Sequence, residues 1–164
     1  MSNSISFVAG MIPDLTKEYD VCVLSSPGEY WNYLERYGNS VKRLEVTMER
    51  HISPIRDLKS LFGLIRVFRK EKPTMVHSMT PKAGLLSMMA AWFCRVPVRV
   101  HTFTGLVFPT ATGLTQKILI LTDRITCACA THIVPEGEGV KNDLINYRIT
   151  KKSLKVLGHG NVRG

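Results

Sequence analysis

The sequence predicts an α/β domain built on a parallel sheet, Rossmann-like, with helices on both faces. Short runs rich in β-branched residues alternate with longer runs whose apolar residues recur at helical spacing. That alternation is typical of strand–helix–strand units. Turn residues separate the runs, as in Ser25-Ser26-Pro27-Gly28. With 164 residues, 45% of them hydrophobic, the chain can bury one sizeable core, so we expect one domain over residues 1–164.

Six short runs bounded by turn residues are predicted as strands, and the second of them has the weaker apolar pattern. They are residues 20–24, 41–46, 75–79, 98–103, 131–134 and 154–157. The first part of the chain is less regular. Residues 4–15 are interpreted as the first helix, and a strand at residues 5–8 is the alternative.

The other periodic segments are predicted as helices. They are residues 29–37, a helix that starts at Ser53-Pro54 and ends before Pro73, and residues 85–94, 114–130 and 138–147. Residues 80–84 are expected to be a loop before the third of these helices. One apolar face is predicted on the helix over residues 114–130, formed by Leu114, Ile118, Leu121 and Ile125.

The net charge of +9 indicates either plain solubility or an anionic partner, and the residues leave both open. Lys59, Arg66 and Lys70 recur at helical spacing and are predicted to share one face. An apolar stripe is predicted opposite that face, formed by Leu58, Leu61, Phe62, Ile65 and Phe68. A basic helical face suits an anionic membrane surface or a phosphorylated substrate. The aromatic residues of this helix, Phe62 and Phe68, are assigned to the apolar stripe and not to the basic face, so no nucleic-acid partner is expected.

No metal or cofactor is predicted, because no cluster of histidine, cysteine or carboxylate residues has ligand spacing. The four cysteines are Cys22, Cys94, Cys127 and Cys129, all in apolar segments. Such residues are typical of free thiols in a reducing cytoplasm. The longest apolar run, residues 83–94, is too short to span a bilayer, and no secretory signal is expected.

Four segments in the second part of the chain resemble a known family when they are taken in order. They are VHSMTPKAG from Val76, RVPVRVHTFTGL from Arg95, THIVPEGEGVKNDL from Thr131 and KVLGHGNVRG from Lys155. At this spacing they resemble the N-terminal domain of family 4 glycosyltransferases. The similarity points in particular to bacterial surface-polysaccharide enzymes that extend lipid-diphosphate-linked sugars. SSPGE from Ser25 and MERHISPIRDL from Met48 are similar to the same group.

The resemblance implies a GT-B fold, in which two Rossmann-like domains face each other across a cleft. The N-terminal domain holds the acceptor, and the C-terminal domain holds the nucleotide sugar. The chain would then be the N-terminal domain without its first strand, and by itself inactive. The family implies retention of configuration and action at the inner face of the plasma membrane. Because an incomplete sheet exposes strand edges, a homodimer is also expected.

Ligands of parallel α/β sheets bind beyond the carboxyl ends of the strands, so the acceptor is expected on two loops there. The residues expected to bind it are Thr80, Pro81, Lys82 and Gly84 in the first loop and Thr102, Thr104 and Gly105 in the second. The first loop opens a helix, whose N–H groups together with Lys82 suit a diphosphate. The threonines of the second loop suit sugar hydroxyls, although they are equally explained by β propensity.

The catalytic group stays unassigned, with His101 and Glu136 as candidates. A histidine in a buried strand is more often a satisfied core residue. Many relatives have T-x-H-G where this chain has Thr102-Phe103-Thr104-Gly105. Glu136 precedes a helix and is explained most simply by helix capping. His77 and His159 are further candidates of the same kind.

Two other functions stay open at this point. A sugar-nucleotide epimerase of the same fold would place more carboxylates and histidines in the cleft loops than this chain has. A non-enzymatic module would use the basic helix to bind a membrane or a partner chain.

Overall fold

The computed structural model describes residues 10–26, 34–35, 37–38, 40–48 and 53–158. Strands and helices alternate along them, as the sequence predicts. In chain order they are α1 (Ile12–Glu18), β1 (Val21–Ser25), β2 (Val41–Glu45), α2 (Pro54–Glu71), β3 (Met75–Ser78), α3 (Pro81–Phe93), β4 (Val98–Phe103), a 3₁₀ turn (Phe108–Thr110), α4 (Gly113–Cys129), β5 (His132–Pro135) and α5 (Glu138–Asn146). The chain divides into two compact units between Ser60 and Leu61.

The first unit is built on two parallel strands. β1 pairs with β2 in a register that runs from Val21 opposite Val41 to Ser25 opposite Glu45. Ile12, Leu34 and Val41 form its buried core, with Val21, Val23 and Tyr37 packed around them. The Ser26 hydroxyl accepts a hydrogen bond from the backbone N–H of Met48 at 2.8 Å and so fixes the chain just beyond β2.

The second unit is built on three parallel strands in the order β3-β4-β5. Ser78 lies opposite His101, and Phe103 lies opposite Pro135, so the three strands end at nearly the same level. α3 packs against α4 and contacts β3 and β4. Ala90 and Ala91 of α3 are fully buried, and such small side chains permit close helix packing.

Two cations close the carboxyl end of α4. The Arg99 Nε donates to the Cys129 carbonyl at 2.6 Å, and the Lys152 Nζ donates to the carbonyls of Cys127 and Ala130. The last carbonyls of a helix have no partner within the helix and carry partial negative charge, so both contacts are favourable. They join α4 to β4 and to the segment after α5.

The predicted strands at residues 20–24, 41–46, 75–79, 98–103 and 131–134 are confirmed to within one residue at each end. At residues 154–157, the structure has a single bridge, between Leu154 and Ile133, in place of a strand. The predicted helix over residues 29–37 and the strand alternative at residues 5–8 lie largely or wholly outside the described residues.

The predicted loop at residues 80–84 is wrong, because α3 already begins at Pro81. Thr80 is its N-cap, with an extended backbone (φ −114°, ψ 149°). Proline is favourable at the first helical position, since its ring presets φ and the missing N–H has no acceptor there. Residues 81–84 therefore form the first turn of a rigid helix.

The stripe predicted on α2 is partly wrong. Leu64 and Phe68 are buried, whereas Leu58 is 52% and Phe62 is 62% exposed. Ser60 is buried as well, and its hydroxyl donates to the Thr47 carbonyl at 2.6 Å. The apolar arc of α2 is wider than the surface that covers it, so part of the arc lies beside the basic residues and not opposite them.

The apolar face predicted on α4 exists, but it faces solvent. Leu114, Ile118 and Leu121 are 73%, 43% and 57% exposed. The buried face of α4 carries Asp123, Thr126 and Cys127 instead. Periodicity identified the apolar residues correctly but could not indicate which side of the helix is covered.

Candidate functional site

The loops after β3, β4 and β5 meet at the carboxyl edge of the sheet. The Thr104 hydroxyl, beyond β4, donates to the Met79 carbonyl beyond β3 at 3.3 Å. The backbone N–H of Glu136, beyond β5, donates to the Phe103 carbonyl at 2.9 Å. The edge therefore presents polar groups from three adjacent loops, which is where parallel sheets bind their ligands.

The first turn of α3 supplies one side of this edge. Thr80 and Lys82 are half-buried, and Pro81 is exposed. The Gly84 N–H donates to the Thr80 carbonyl at 2.6 Å, which closes the first turn. The turn also leaves N–H groups without acceptors inside the helix, and these favour an anion.

His101 lies beneath this turn and supports it. The residue is 1% exposed, and its Nδ1 lies 2.8 Å from the Ser78 Oγ. Its ring contacts Phe103 edge-on, with the centroids 4.5 Å apart. A Cβ at Gly84 would lie 2.3 Å from the His101 Cε1, so only glycine fits above the ring. Burial, with a smaller contribution from the charge of His77, lowers the pKa of His101 to about 4, so the ring is neutral near pH 7.

A second histidine–hydroxyl pair joins the same two strands. The His77 Nε2 lies 2.8 Å from the Thr102 Oγ1, and Thr102 is buried. Desolvation of the ring lowers the pKa of His77 below its ordinary value, although the residue keeps some exposed surface. The Thr102 hydroxyl is thus engaged within the sheet, whereas Thr104 lies at the edge.

The loop after β4 begins with a glycine that its conformation requires. Gly105 has a φ of 145°, a backbone angle that residues other than glycine rarely adopt, and it is exposed. No atom lies within 4 Å of where its Cβ would be, so the requirement comes from the backbone and not from crowding. Next to the half-buried Thr104, it leaves the backbone open to a ligand.

The two carboxylates beyond β5 differ in their surroundings. Glu138 stands in the first turn of α5 and pairs with Lys141 at 3.0 Å, as helix-dipole complementarity predicts. Glu136 precedes the N-cap Gly137 and is half-buried at the edge of the sheet. Of the two catalytic candidates, Glu136 is half-buried at this edge, whereas His101 is 1% exposed.

The basic residues of α2 form a separate surface. Lys59, Arg66 and Lys70 are all exposed, as the sequence predicts. Ile55 and Phe62 are also exposed on this helix. The solvent-facing side of α2 therefore combines cations with large apolar side chains.

Sequence reasoning missed the contact between His101, Ser78 and Gly84. Gly84 is predicted as an acceptor-binding residue of a loop at residues 80–84, yet it lies inside a helix that is otherwise rich in Ala, Leu and Met. A glycine within such a helix indicates that something approaches its backbone closely, and this signal was available in the sequence.

In the described part of the chain, no three histidine, cysteine or carboxylate side chains lie close enough together to hold a metal ion. Among the same residues, no helix combines the length and the apolar composition needed to cross a bilayer. His51, His159 and most of the SSPGE segment lie outside the described residues.

Comparisons with known proteins identify relatives along the whole chain. A family model described as a glycosyl transferase 4-like domain matches residues 8–160. The capsular polysaccharide biosynthesis glycosyltransferase CapM of Staphylococcus aureus is 37% identical over 166 aligned residues, which cover 100% of this chain and 43% of CapM. The UDP-Gal:α-D-GlcNAc-diphosphoundecaprenol α-1,3-galactosyltransferase of Escherichia coli is 32% identical over 121 residues, covering 72% of this chain and 30% of that enzyme. The chain thus spans less than half the length of these curated relatives.

Two solved structures share the fold. The UDP-GlcNAc 2-epimerase of Methanocaldococcus jannaschii matches with a TM-score of 0.62 at 19% identity, over 94% of this chain and 42% of that one. The MurG protein of Acinetobacter baumannii matches with a TM-score of 0.61 at 14% identity, over 96% of this chain and 40% of that one. At such identities the likeness concerns the fold alone, and it confirms the predicted GT-B architecture.

Proposed function

Because the chain belongs to the glycosyl transferase 4-like family, we propose that it is the N-terminal, acceptor-binding domain of a bacterial glycosyltransferase of surface-polysaccharide synthesis. The observation that carries the proposal is the family match over residues 8–160, together with three polar loops at one edge of the sheet. The proposed partners are a nucleotide-sugar donor and a lipid-linked or oligosaccharide acceptor. The Escherichia coli relative, named for a diphosphoundecaprenol acceptor, supports the lipid-linked class.

In this proposal the acceptor diphosphate binds at the first turn of α3. Lys82 supplies a positive charge, and the N–H groups of the turn supply donors aligned with the helix dipole. Thr80, Thr104 and Gly105 line the adjacent edge, where hydroxyl and backbone groups can bind the first sugar. Pro81 and Gly84 shape the turn, and Thr102 acts through its contact with His77.

In the proposed reaction, positioned hydrogen-bond donors contribute more to the rate than a nucleophilic side chain does. Transfer from a nucleotide sugar releases a nucleoside diphosphate, and the proposed stereochemistry is retention. Donors fixed in place stabilise the charge that develops on the leaving group, and fixed orientation lowers the entropic cost. Glu136 is the remaining candidate for accepting the proton of the acceptor hydroxyl. His101 is assigned a positioning role, because a neutral, buried imidazole that bonds Ser78 supports the α3 turn.

We further propose that residues 1–164 by themselves bind acceptor without transferring sugar, since they correspond to only 43% of CapM. The proposed location is the cytoplasmic face of the plasma membrane, with Lys59, Arg66 and Lys70 near its anionic surface. Pairing with a second copy of the chain is also part of the proposal.

The epimerase alternative has less support. The likeness to the archaeal epimerase is at 19% identity, whereas both curated relatives, at 37% and 32%, are named as transferases. The names of both curated relatives also favour a transferase over a non-enzymatic module that uses the basic helix.

Steady-state kinetics of the full-length protein test the acceptor site. We expect Lys82→Met to raise the KM for a lipid-diphosphate acceptor at least about tenfold, since a charge-assisted contact contributes about 1.5–3 kcal/mol. The KM for the nucleotide sugar should stay unchanged. Lys141→Met, which removes the same charge from α5, is the control. An unchanged acceptor KM in Lys82→Met would contradict this assignment.

A further inference from the structure

The loop between β4 and α4, residues 104–112, is anchored at its centre by Phe108. This residue opens the 3₁₀ turn and is 0% exposed, whereas Val107 before it is 52% exposed. Loops usually run over the surface of a protein, because buried backbone needs hydrogen-bond partners. A fully buried aromatic ring in the middle of such a segment therefore fixes it to the body of the domain.

Two helices hold this anchor through different groups. From the first turn of α4, the Gln116 Nε2 donates to the Phe108 carbonyl at 3.1 Å. The Tyr147 ring, which follows α5, meets the Phe108 ring edge-on with the centroids 4.9 Å apart, a favourable geometry for aromatic pairs. The Tyr147 carbonyl accepts a hydrogen bond from the Arg124 Nη2 at 3.2 Å, so the end of α5 is also tied to α4. Both the main chain and the side chain of Phe108 are thus fixed.

Two glycines stand on either side of the anchor. Gly105 has a φ of 145° and Gly113 a φ of 62°, both in the region that favours glycine. No atom lies within 4 Å of the Cβ position of either, so their backbone conformation and not crowding requires them. Glycine loses more conformational freedom on folding than any other residue. A segment bounded by two of them needs contacts such as those of Phe108 to keep one conformation.

The anchor lies close along the chain to two of the residues proposed to bind the acceptor. Gly105 stands three residues before Phe108, and Thr104 is fixed on the other side by its hydrogen bond to the Met79 carbonyl at 3.3 Å. A stretch of backbone this short, held at both ends, has few conformations open to it. The orientation of the Gly105 backbone therefore depends on where Phe108 is held.

We propose that Phe108, Gln116 and Tyr147 are positioning residues of the acceptor site. They hold the loop after β4 in the one conformation that presents Thr104 and Gly105 to the acceptor. The inference deepens the proposed function, on which it rests for the identity of the ligand. A loop that is already ordered avoids the entropic cost of ordering it on binding, so these contacts strengthen acceptor binding and leave nucleotide-sugar binding unaffected.

Hydrogen exchange of the 164-residue chain without ligand tests whether these contacts hold the loop. Gln116→Met keeps the length of the side chain but removes its donor. The amides of Thr110 and Ala111, which bond within the loop, should then exchange about two- to tenfold faster, the factor expected for one neutral hydrogen bond. Gln116→Lys, which restores a donor, should return exchange toward the wild-type rate. Tyr147→Leu should also accelerate exchange, whereas Tyr147→Phe keeps the ring and should not.

Steady-state kinetics of the full-length protein test the consequence for the site. Gln116→Met and Tyr147→Leu should each raise the KM for a lipid-diphosphate acceptor about two- to tenfold and leave the KM for the nucleotide sugar unchanged. A merely structural role would reduce the amount of folded enzyme, which lowers the apparent kcat and changes neither KM. Gln116→Lys and Tyr147→Phe should restore the acceptor KM. Ile145→Ser, which removes an exposed side chain from α5, is the control.

The two measurements separate this inference from the proposed function. Wild-type exchange rates in both Gln116→Met and Tyr147→Leu would overturn the inference. Faster exchange with an unchanged acceptor KM would overturn it as well, and a raised acceptor KM in Lys82→Met would then leave the proposed function standing. An acceptor KM that is unchanged in Lys82→Met too would contradict the proposed acceptor site itself, and the inference would fall with it.

Discussion

At the scale of single residues, Gly84 and His101 share a space that holds only one side chain. The imidazole fills the volume that a Cβ on residue 84 would need, and the Ser78 hydroxyl fixes its orientation. The first turn of α3, where Lys82 is placed, thus rests on a buried ring. A neutral histidine suits this role, since it packs as an aromatic group and still satisfies a hydroxyl.

Gly84→Ala should therefore destabilise the chain, because His101 is buried and cannot move aside freely. We expect a loss of about 1–3 kcal/mol, as for other overpacked sites. Gly139→Ala is the matched control: it is also in a helix, but no atom lies within 4 Å of the added Cβ. The control should be neutral or up to about 1 kcal/mol more stable. Equal denaturation midpoints for the two variants would contradict the contact.

The pH dependence of stability should reflect the same histidine. Folding lowers the pKa of His101 from 6.5 to about 4, so the unfolded chain binds more protons between these values. Stability should fall as the pH decreases through this window, by up to about 3 kcal/mol from this residue. His101→Gln should flatten the fall, as measured by urea denaturation between neutral pH and the lower end of the window. A slope identical to that of wild type would show that His101 does not titrate in this way.

Asp123 should change the pH dependence of stability in the opposite direction. Burial raises its pKa from 3.8 to about 6, so the folded chain binds more protons between these values. Its neutralisation should add stability as the pH falls, which partly offsets the loss from His101. Asp123→Asn should consequently make the acid-side fall steeper and raise stability near pH 7.

At the scale of elements, the sequence predicted where the helices and strands lie better than which helix faces are covered. Short runs bounded by turn residues located β1 to β5, although β2 carries three charged residues and burial alternates along β3 and β5. α2 and α4 are different, since each has a wide apolar arc and the sequence gives no information about which part of it is in contact. The positions of Lys82 and Thr104 at the carboxyl edge of the sheet follow from their place after strands in the sequence. The contact between His101 and Gly84 could be found only from the three-dimensional structure.

Two apolar residues of α2 that differ in exposure can be compared directly by mutation. Leu64 is 1% exposed and Phe62 is 62% exposed, although both are large and apolar. Leu64→Ala should cost about 2–5 kcal/mol through the cavity it leaves, whereas Phe62→Ala should cost less than about 0.5 kcal/mol. Thermal denaturation of the two variants measures the difference. Similar losses of stability in the two variants would support the apolar stripe predicted from the sequence, in which Phe62 is buried.

The basic face of α2 should act through charge alone. Replacing Lys59, Arg66 and Lys70 with glutamate should abolish the salt-sensitive binding of the chain to anionic vesicles, since each cation near the membrane surface contributes about 1 kcal/mol. The fold should be unaffected, because all three side chains are exposed. Binding that is unchanged in low salt would assign this face to solubility.

At the scale of the whole molecule, the family match and the arrangement of loops lead to the same hypothesis. Relatives 37% and 32% identical are named for capsular polysaccharide synthesis and for transfer to a diphosphoundecaprenol acceptor. The carboxyl edge of the β3-β4-β5 sheet gathers Thr80, Lys82, Thr104, Gly105 and Glu136 from three loops. In the proposed function this domain holds the acceptor, and a nucleotide sugar would need further residues to bind tightly.

Calorimetry on residues 1–164 tests this division of roles most directly. A water-soluble acceptor analogue, with a sugar diphosphate on a short prenyl chain, is titrated into the wild-type chain and into Lys82→Met, followed by nucleotide sugars under the same conditions. The account predicts that the analogue binds the wild-type chain, that Lys82→Met weakens this binding at least about tenfold, and that nucleotide sugars bind weakly or not at all. Micromolar binding of a nucleotide sugar without detectable binding of the acceptor analogue would contradict it.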